Sequence, residues 1–202
     1  MVLNHVSWET YERLLADHID ASSPRFTYDR GALEIMSPSS EHERAKERIA
    51  AVVDIVAEEW GLEYERLGST TFRRQDLERG TEPDECFYLQ NVERIRGKSE
   101  IDLTTDPPPD LVIEIEITHP AVSKLSIYAS FGVPEIWRYD GREVKILRLA
   151  GDKYEVRPES GVLPHLTAAL LTDFVNQSRS LTTLAWRRML RAWARERLKG
   201  KG

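Results

Sequence analysis

Two glutamates stand in the middle of the most apolar segment of the chain, PDLVIEIEITHP at residues 109–120. Its aliphatic residues predict a buried strand. Because side chains alternate along a strand, Ile113 and Ile115 share one face, whereas Glu114 and Glu116 share the other. An ionised carboxylate that is buried without a partner costs several kcal/mol, so a compensating charge is expected beside these acids.

The spacing of the acids would suit a divalent cation. A strand rises about 3.3 Å per residue, so Glu114 and Glu116 are about 6.6 Å apart along the backbone, and their side chains can converge on one ion. Asp84 opens another predicted strand 30 residues before Glu114. If the two strands pair, Asp84 can face Glu114.

The residue types indicate what such an ion would be and what it would do. Carboxylate oxygens are the ligands that a hard cation such as magnesium prefers. Magnesium held by two carboxylates can activate water and stabilise the leaving oxygen in phosphodiester cleavage. The alternative is a structural cluster in which the acids bond to arginines, of which the chain has many, and the residues alone leave both readings open.

Length, composition and cysteine content limit the classes of protein to which the chain can belong. The chain has 202 residues, 41% hydrophobic and 31% charged, which is typical of a globular protein and favours one domain over residues 1–202. The single cysteine, Cys86, excludes an internal disulfide and a cysteine-rich zinc site. With no signal-peptide pattern and no apolar run of membrane-spanning length, we expect a cytoplasmic protein without membrane contact.

Charge is distributed unevenly along the chain. Residues 186–202 carry seven basic residues and one acid, a net +6, so a total of −6 leaves −12 on residues 1–185. A basic C-terminal helix is predicted at about residues 181–199. Such a short basic tail is more often a solvated helix end than a nucleic-acid-binding arm.

The order of predicted elements is helix, hairpin, long helix, several strands, helix, hairpin and final helices. Hairpins are indicated by the turn residues at Asp29 to Gly31 and at Asp140 to Gly141. The long helix follows the Ser-Pro segment at residues 37–38 and is expected to end at Gly61. This order predicts a mixed α/β protein with a largely sequential sheet.

Four blocks of the sequence carry a family resemblance: GALEIMSPSSEHERAKERI, PDECFYLQN, PDLVIEIEIT and KLSIYASFGVPEIWRYDG. Together they resemble the PD-(D/E)-x-K nuclease superfamily and, more closely, its Uma-two family of restriction-endonuclease-like proteins. The resemblance covers roughly residues 25–170. It implies a restriction-endonuclease-like α/β fold with a central mixed β-sheet flanked by helices.

The same resemblance implies a set of site residues. Asp84, which follows Pro83, would be the first metal acid and Glu114 the second. The superfamily expects a lysine two residues later, where this chain has Glu116. A lysine displaced onto the next helix, Lys124, would fit that role and could orient the attacking water. Whether Lys124 fills it, or Glu116 is a third metal acid with Asp84 and Glu114, stays open.

The start of the long helix supplies further candidates. Superfamily members often add an acid from such a helix, and Glu41, His42 and Glu43 stand there. His42 matches the SP-x-x-x-H block of the family. A histidine in the first turn of a helix is also often a capping or packing group, so its role is left open.

The resemblance implies a magnesium-dependent endonuclease that hydrolyses DNA phosphodiester bonds, with manganese as an alternative ion. DNA would be its partner, and a homodimer would suit a nuclease that cuts two strands. The alternative is a catalytically inactive protein of the same fold that acts as a DNA-binding or accessory protein. The missing lysine at Glu116 and the acidic net charge motivate that alternative.

Overall fold

The computed structural model describes residues 1–18, 23–117 and 122–199. The helices are α1 (Trp8–Asp17), α2 (Ser40–Trp60), α3 (Val92–Ile95), α4 (Lys124–Phe131), α5 (Ala168–Ser180) and α6 (Thr183–Lys199). The strands are β1 (Val2–Leu3), β2 (Arg25–Asp29), β3 (Ala32–Met36), β4 (Glu65–Arg66), β5 (Phe72–Arg74), β6 (Arg79–Thr81), β7 (Glu85–Tyr88), β8 (Leu111–Ile115), β9 (Glu135–Tyr139), β10 (Val144–Ala150) and β11 (Lys153–Arg157).

The strands form two sheets. A six-stranded sheet has the order β11-β10-β9-β8-β7-β4, and it is mixed because β8 and β9 run parallel while its other pairs run antiparallel. This is the central mixed sheet that the resemblance implies. A five-stranded antiparallel sheet, in the order β1-β3-β2-β6-β5, contains the first predicted hairpin. The prediction of a mixed α/β protein is confirmed. The second sheet was not predicted from the sequence.

Local signals fix both ends of α2, and α4 is placed by the connection between two strands. The Ser39 hydroxyl accepts a hydrogen bond from the backbone N–H of His42, and this cap places His42 in the first turn of α2. Gly61 ends α2 in the left-handed conformation, with a φ of 64°. Parallel strands need a crossover connection, and α4 lies in the one that joins β8 to β9.

The central strand β8 is buried on both faces. Leu111, Ile113 and Ile115 pack in the main core with the apolar face of α2, as the alternation predicts. The opposite face does not meet solvent, because Val112 packs with Ile127 and other residues of α4 in a second core. Glu114 is on that second face, so the strand places its charge in a covered region.

The C-terminal helix α6 packs against α2. Its buried residues Trp186, Leu190 and Ala194 join the main core, and Arg191 forms ion pairs with Glu58 and Glu59 of α2. The predicted basic helix at about residues 181–199 therefore exists from Thr183 to Lys199, while residues 200–202 of the basic tail lie outside the described residues. Within the described ranges, no helix combines the length and the apolar character that crossing a membrane would require.

The two-sided burial of β8 leads to a stability prediction. We expect Ile113→Ala to lower the free energy of unfolding by about 2–5 kcal/mol, because Ile113 is 0% exposed and its removal leaves a cavity in the main core. Val156→Ala, on the edge strand β11 where Val156 is 64% exposed, should change it by no more than about 0.5 kcal/mol. Urea unfolding of both variants measures the difference, and equal losses would contradict the packing described.

Candidate active site

The pairing of β7 with β8 brings the two predicted acids together. The strands run antiparallel with Glu85 opposite Ile113, so the next step of the register sets Asp84 opposite Glu114. The Ile115 backbone N–H donates a hydrogen bond to Asp84 Oδ2 at 2.6 Å, which ties the first acid to the strand of the second. Both side chains are buried, with Asp84 1% and Glu114 2% exposed.

Asp84 is neutralised by groups from outside the central sheet. Arg25, the first residue of β2 in the second sheet, forms an ion pair through its Nη1 with Asp84 Oδ1. His42 Nε2 lies 3.0 Å from Asp84 Oδ2. Burial by itself raises the pKa of Asp84, but the close approach of His42 and the charges of Lys124 and Arg25 outweigh it and lower that pKa below its usual value. Asp84 is therefore ionised at neutral pH.

Glu114 is neutralised from α4. Lys124 Nζ lies 2.9 Å from Glu114 Oε2 and 3.2 Å from Oε1, and the Tyr128 hydroxyl donates to Oε1. Burial is the largest influence on Glu114 and, with the nearby charge of Asp84, it raises the pKa of Glu114 to about 7 in spite of Lys124. Glu114 can thus exchange a proton near neutral pH.

Lys124 is the first residue of α4, and its ammonium group is buried over the acidic pair. Burial disfavours its charge, but Glu114 and Asp84 more than compensate, so its pKa is raised and it stays protonated. A third hydrogen bond runs from Nζ to the backbone carbonyl of Glu82 at 3.1 Å. The structure therefore points Lys124 back over the sheet, as the family resemblance implies for this residue.

A cavity of about 190 Å³ opens over the site. Its lining includes the charged side chains of Arg25, Glu114, Glu116 and Lys124, together with His42. Asp84 is absent from the lining and lies beneath Arg25 and His42, which contact it. A small polar ligand in this cavity would meet Glu114 and Lys124 before it met Asp84.

Of the remaining candidates, Glu116 lines this cavity, whereas Glu41 and Glu43 do not. Glu116, just beyond the end of β8, has its Oε2 3.6 Å from Arg138 Nη1. Glu43 is partly exposed and forms ion pairs with Arg25 and Lys46. Glu41 is exposed and does not line the cavity. Of the three candidates on α2, His42 makes the closest approach to the acidic pair.

The carboxylates of the site are ligands of the kind that magnesium prefers, but their number is small. Asp84 and Glu114 offer two carboxylates, which suffices for an ion that keeps several waters and takes substrate phosphate as a further ligand. Over the described ranges, no group of three or more histidine, cysteine, aspartate or glutamate side chains is gathered closely enough to hold a metal ion. Protein donors contact all four oxygens of these two carboxylates, so an ion would compete with those contacts.

Two members of the site were missed by the sequence analysis. Tyr128 follows Lys124 by one helical turn, so the spacing of four residues could have placed both on one face of α4. Arg25 and Thr27 alternate along β2 with the core residues Phe26 and Tyr28, so the two polar side chains share one face of a buried strand. That polar face was the available signal that Arg25 has a polar partner. Only the packing of the two sheets shows that Arg25 reaches Asp84.

The burial of the Lys124–Glu114 pair leads to a prediction with a defined pH dependence. At about pH 8, Lys124→Met should lower the free energy of unfolding by about 3–5 kcal/mol, because it leaves an uncompensated buried carboxylate. At about pH 5.5 the loss should be smaller, since the raised pKa of Glu114 lets the carboxyl take up a proton and become neutral.

The matched control is Lys145→Met, because Lys145 pairs with Glu143 at 2.9 Å while both side chains remain substantially exposed. Its loss should be no more than about 1 kcal/mol at either pH. Urea unfolding at the two pH values measures both variants. A loss for Lys124→Met that grows as the pH falls would contradict the assignment.

Two comparisons with known proteins bear on the fold and on the family of the chain. A solved structure described as a "putative nuclease belonging to DUF820", from Anabaena variabilis, matches with a TM-score of 0.57 and 16% sequence identity, over 84% of this chain and 99% of that one. At this identity the likeness establishes the fold alone. No curated protein shows significant similarity to the chain. The model of the Uma2 (Uma-two) family, described as "Putative restriction endonuclease", matches residues 8–183, and the protein therefore belongs to that family.

Proposed function

We propose that the protein is a divalent-metal-dependent endonuclease that hydrolyses phosphodiester bonds in DNA, with magnesium as its ion and manganese as a substitute. The observation that carries the proposal is the buried pair of Asp84 and Glu114 on adjacent strands, with Lys124 over them and a cavity above. Membership in a family described as "Putative restriction endonuclease" supports the same chemistry.

In this proposal Asp84 and Glu114 are the protein ligands of the ion. The bound ion would activate water and stabilise negative charge on the phosphate. Arg25 and His42 hold Asp84 ionised, and the Ile115 backbone N–H ties it to β8, so that this ligand needs no deprotonation before it binds. Glu114 must lose its proton to become a ligand, and the ammonium group of Lys124 favours that loss.

Lys124 has a second role in the proposal. If Glu114 served as a ligand of an ion, the Lys124 ammonium group would be available to donate to the attacking water or to a phosphate oxygen. The carbonyl of Glu82 still accepts from Nζ and holds it in place. Glu116 on the cavity wall is the candidate for a third acid, and it would need to leave Arg138.

Charge balance indicates when the ion would enter. Asp84 and Glu114 carry two negative charges, and Arg25 and Lys124 carry two positive charges, so the group is neutral when both acids are ionised. A divalent ion adds two positive charges, which a phosphodiester partly offsets. The ion is therefore expected to bind more tightly with DNA than alone, as magnesium often does with substrate phosphates.

A second candidate function is a catalytically inactive member of the fold that binds DNA or assists a partner. The observation that favours it is the saturation of the Asp84 and Glu114 oxygens by donors from the protein. Under this alternative, Arg25 and Lys124 are permanent structural counter-ions. Absence of magnesium and manganese binding at millimolar concentration, measured by calorimetry in the presence of DNA, would establish it over the first proposal.

The proposal also retains three broader expectations: one domain, a cytoplasmic location and a homodimer. A homodimer would supply two sites for the two strands of a duplex. Sedimentation of the protein with and without duplex DNA measures the assembly.

Glu114→Gln is the first test of the proposed function. We expect it to reduce magnesium-dependent cleavage of plasmid DNA by at least about 10²–10³-fold, the scale for losing one group that stabilises the charge of a transition state. Glu93→Gln is the control, because Glu93 is an exposed acid of α3 that pairs only locally with Arg96. Cleavage by highly purified Glu114→Gln at the wild-type rate would refute the assignment, and thermal melts of both variants exclude unfolding as the cause.

Metal binding should depend on pH through Glu114. Its pKa of about 7 means that the carboxyl is mostly protonated below that pH, and a proton must leave before the ion binds. Manganese affinity, measured by calorimetry, should therefore fall by about tenfold for each pH unit below 7 and level off above it.

Glu116→Gln separates the two roles left open for Glu116. A third metal acid predicts weaker manganese binding by this variant across the whole pH range. If Glu116 pairs with Arg138 and is not a ligand, the variant should bind manganese as tightly as the wild type does.

The role of Glu114 as a ligand has its own contradicting result. It would be a manganese affinity of the wild type that stays constant between about pH 5.5 and 8.

A further inference from the structure

A second recess, of about 640 Å³, lies next to the candidate active site. Ile117 lines both the recess and the site cavity, so the two spaces meet at the end of β8. Three arginines line the recess: Arg44 and Arg48 from α2, and Arg179 from α5. None of the three contributes to the Asp84–Glu114 site.

These arginines differ from most others in the chain because no carboxylate pairs with them. Across the described residues, no acidic group lies within 4.0 Å of the guanidinium of Arg44, Arg48 or Arg179. By contrast, Arg191 and Arg195 on the neighbouring α6 form ion pairs with Glu58 and Glu59.

Neutral groups hold two of the three guanidinium groups in place. The Arg48 guanidinium lies over the Trp186 ring, 5.1 Å from its centroid, and approaches the Thr183 hydroxyl. Arg179 Nη2 donates to the Tyr139 hydroxyl at 2.8 Å. Such contacts restrict the side chains without neutralising them, so less conformational entropy is lost when an anion binds.

The charge of the recess suits a phosphate ligand. The guanidinium group is planar and always charged, and it matches phosphate oxygens bidentately. Arg44 and Arg48 are four residues apart on α2, which spaces their backbones by about 6 Å along the helix. Glu41 is the carboxylate among the lining residues, and it leaves the lining with a net charge of +2.

The position of the recess indicates which phosphates these would be. A DNA strand with its scissile phosphate over Glu114 and Lys124 can continue past Ile117 into the recess. We infer that Arg44, Arg48 and Arg179 bind the sugar-phosphate backbone of the DNA substrate beside the bond that is cut. This inference rests on the proposed function and extends it, because it assigns the strand a path across α2 and α5.

The test is the salt dependence of DNA binding. Binding of a short fluorescent duplex is measured by anisotropy at several salt concentrations in EDTA, so that cleavage does not interfere. The logarithm of the affinity falls with the logarithm of the salt concentration, and each phosphate contact adds about 0.9 to the steepness of that fall for B-DNA. Arg44→Gln should make the slope shallower by about 0.9. The triple variant Arg44→Gln/Arg48→Gln/Arg179→Gln should make it shallower by about 2.7.

The matched control for Arg44→Gln is Arg94→Gln. Arg94 is likewise an exposed arginine on a helix, but it does not line the recess. This change should leave the slope within error of the wild type. A triple variant with lysine at all three positions should keep most of the slope, because lysine still neutralises phosphate, and it controls for packing lost at Trp186. An unchanged slope in the glutamine triple variant, with an unchanged thermal melt, would overturn the inference.

Cleavage assays separate this inference from the proposed function. If the wild type binds DNA through these arginines but does not cleave it with magnesium or manganese, the three arginines remain a site for the DNA backbone, while the nuclease proposal and the placement of a cut bond beside them fail. If the wild type cleaves DNA and the glutamine triple variant retains the same kcat/KM and salt slope, the nuclease proposal stands and the inference fails.

Discussion

The burial of two carboxylates in the centre of the protein is the constraint on which the rest of the site depends. An isolated buried carboxylate is too costly to keep ionised, so the chain must bring a counter-charge to each one. The counter-charges come from different directions: Arg25 from the second sheet and Lys124 from the crossover helix. The five-stranded sheet and α4 are therefore held to the central sheet by electrostatics as well as by apolar packing.

Sequence periodicity was sufficient for the part of the site that depends on one strand, whereas the position of Asp84 opposite Glu114 was conditional on the pairing of two strands. Alternation along β8 separated Ile113 and Ile115 from Glu114, and the pairing of β7 with β8 set Asp84 opposite Glu114. The family resemblance, rather than any pattern, selected Lys124. Asp110, which directly precedes β8, is bound elsewhere, because it accepts hydrogen bonds from the backbone of Leu89 and Asn91.

Contacts between distant segments were beyond such reasoning. Arg25 and Asp84 are separated by 59 positions, and no local pattern fixes how two sheets pack against each other. The same limit explains why one central sheet was expected where two exist. Glu116 lies just beyond the end of β8 and lines the cavity with Glu114, and its approach to Arg138 depends on the neighbouring strand β9.

The long separation between Arg25 and Asp84 has a consequence for how the protein acquires its site. Contacts that close large loops form late, because the entropy of loop closure must be lost before they stabilise the chain. Until the β2–β3 hairpin docks, Asp84 lacks its arginine, but an uncovered β7–β8 pair is open to water and its acids ionise as ordinary carboxyls. Burial raises the pKa of Glu114 only once the tertiary structure covers it, so a partly folded chain would not present a carboxyl that exchanges its proton near neutral pH.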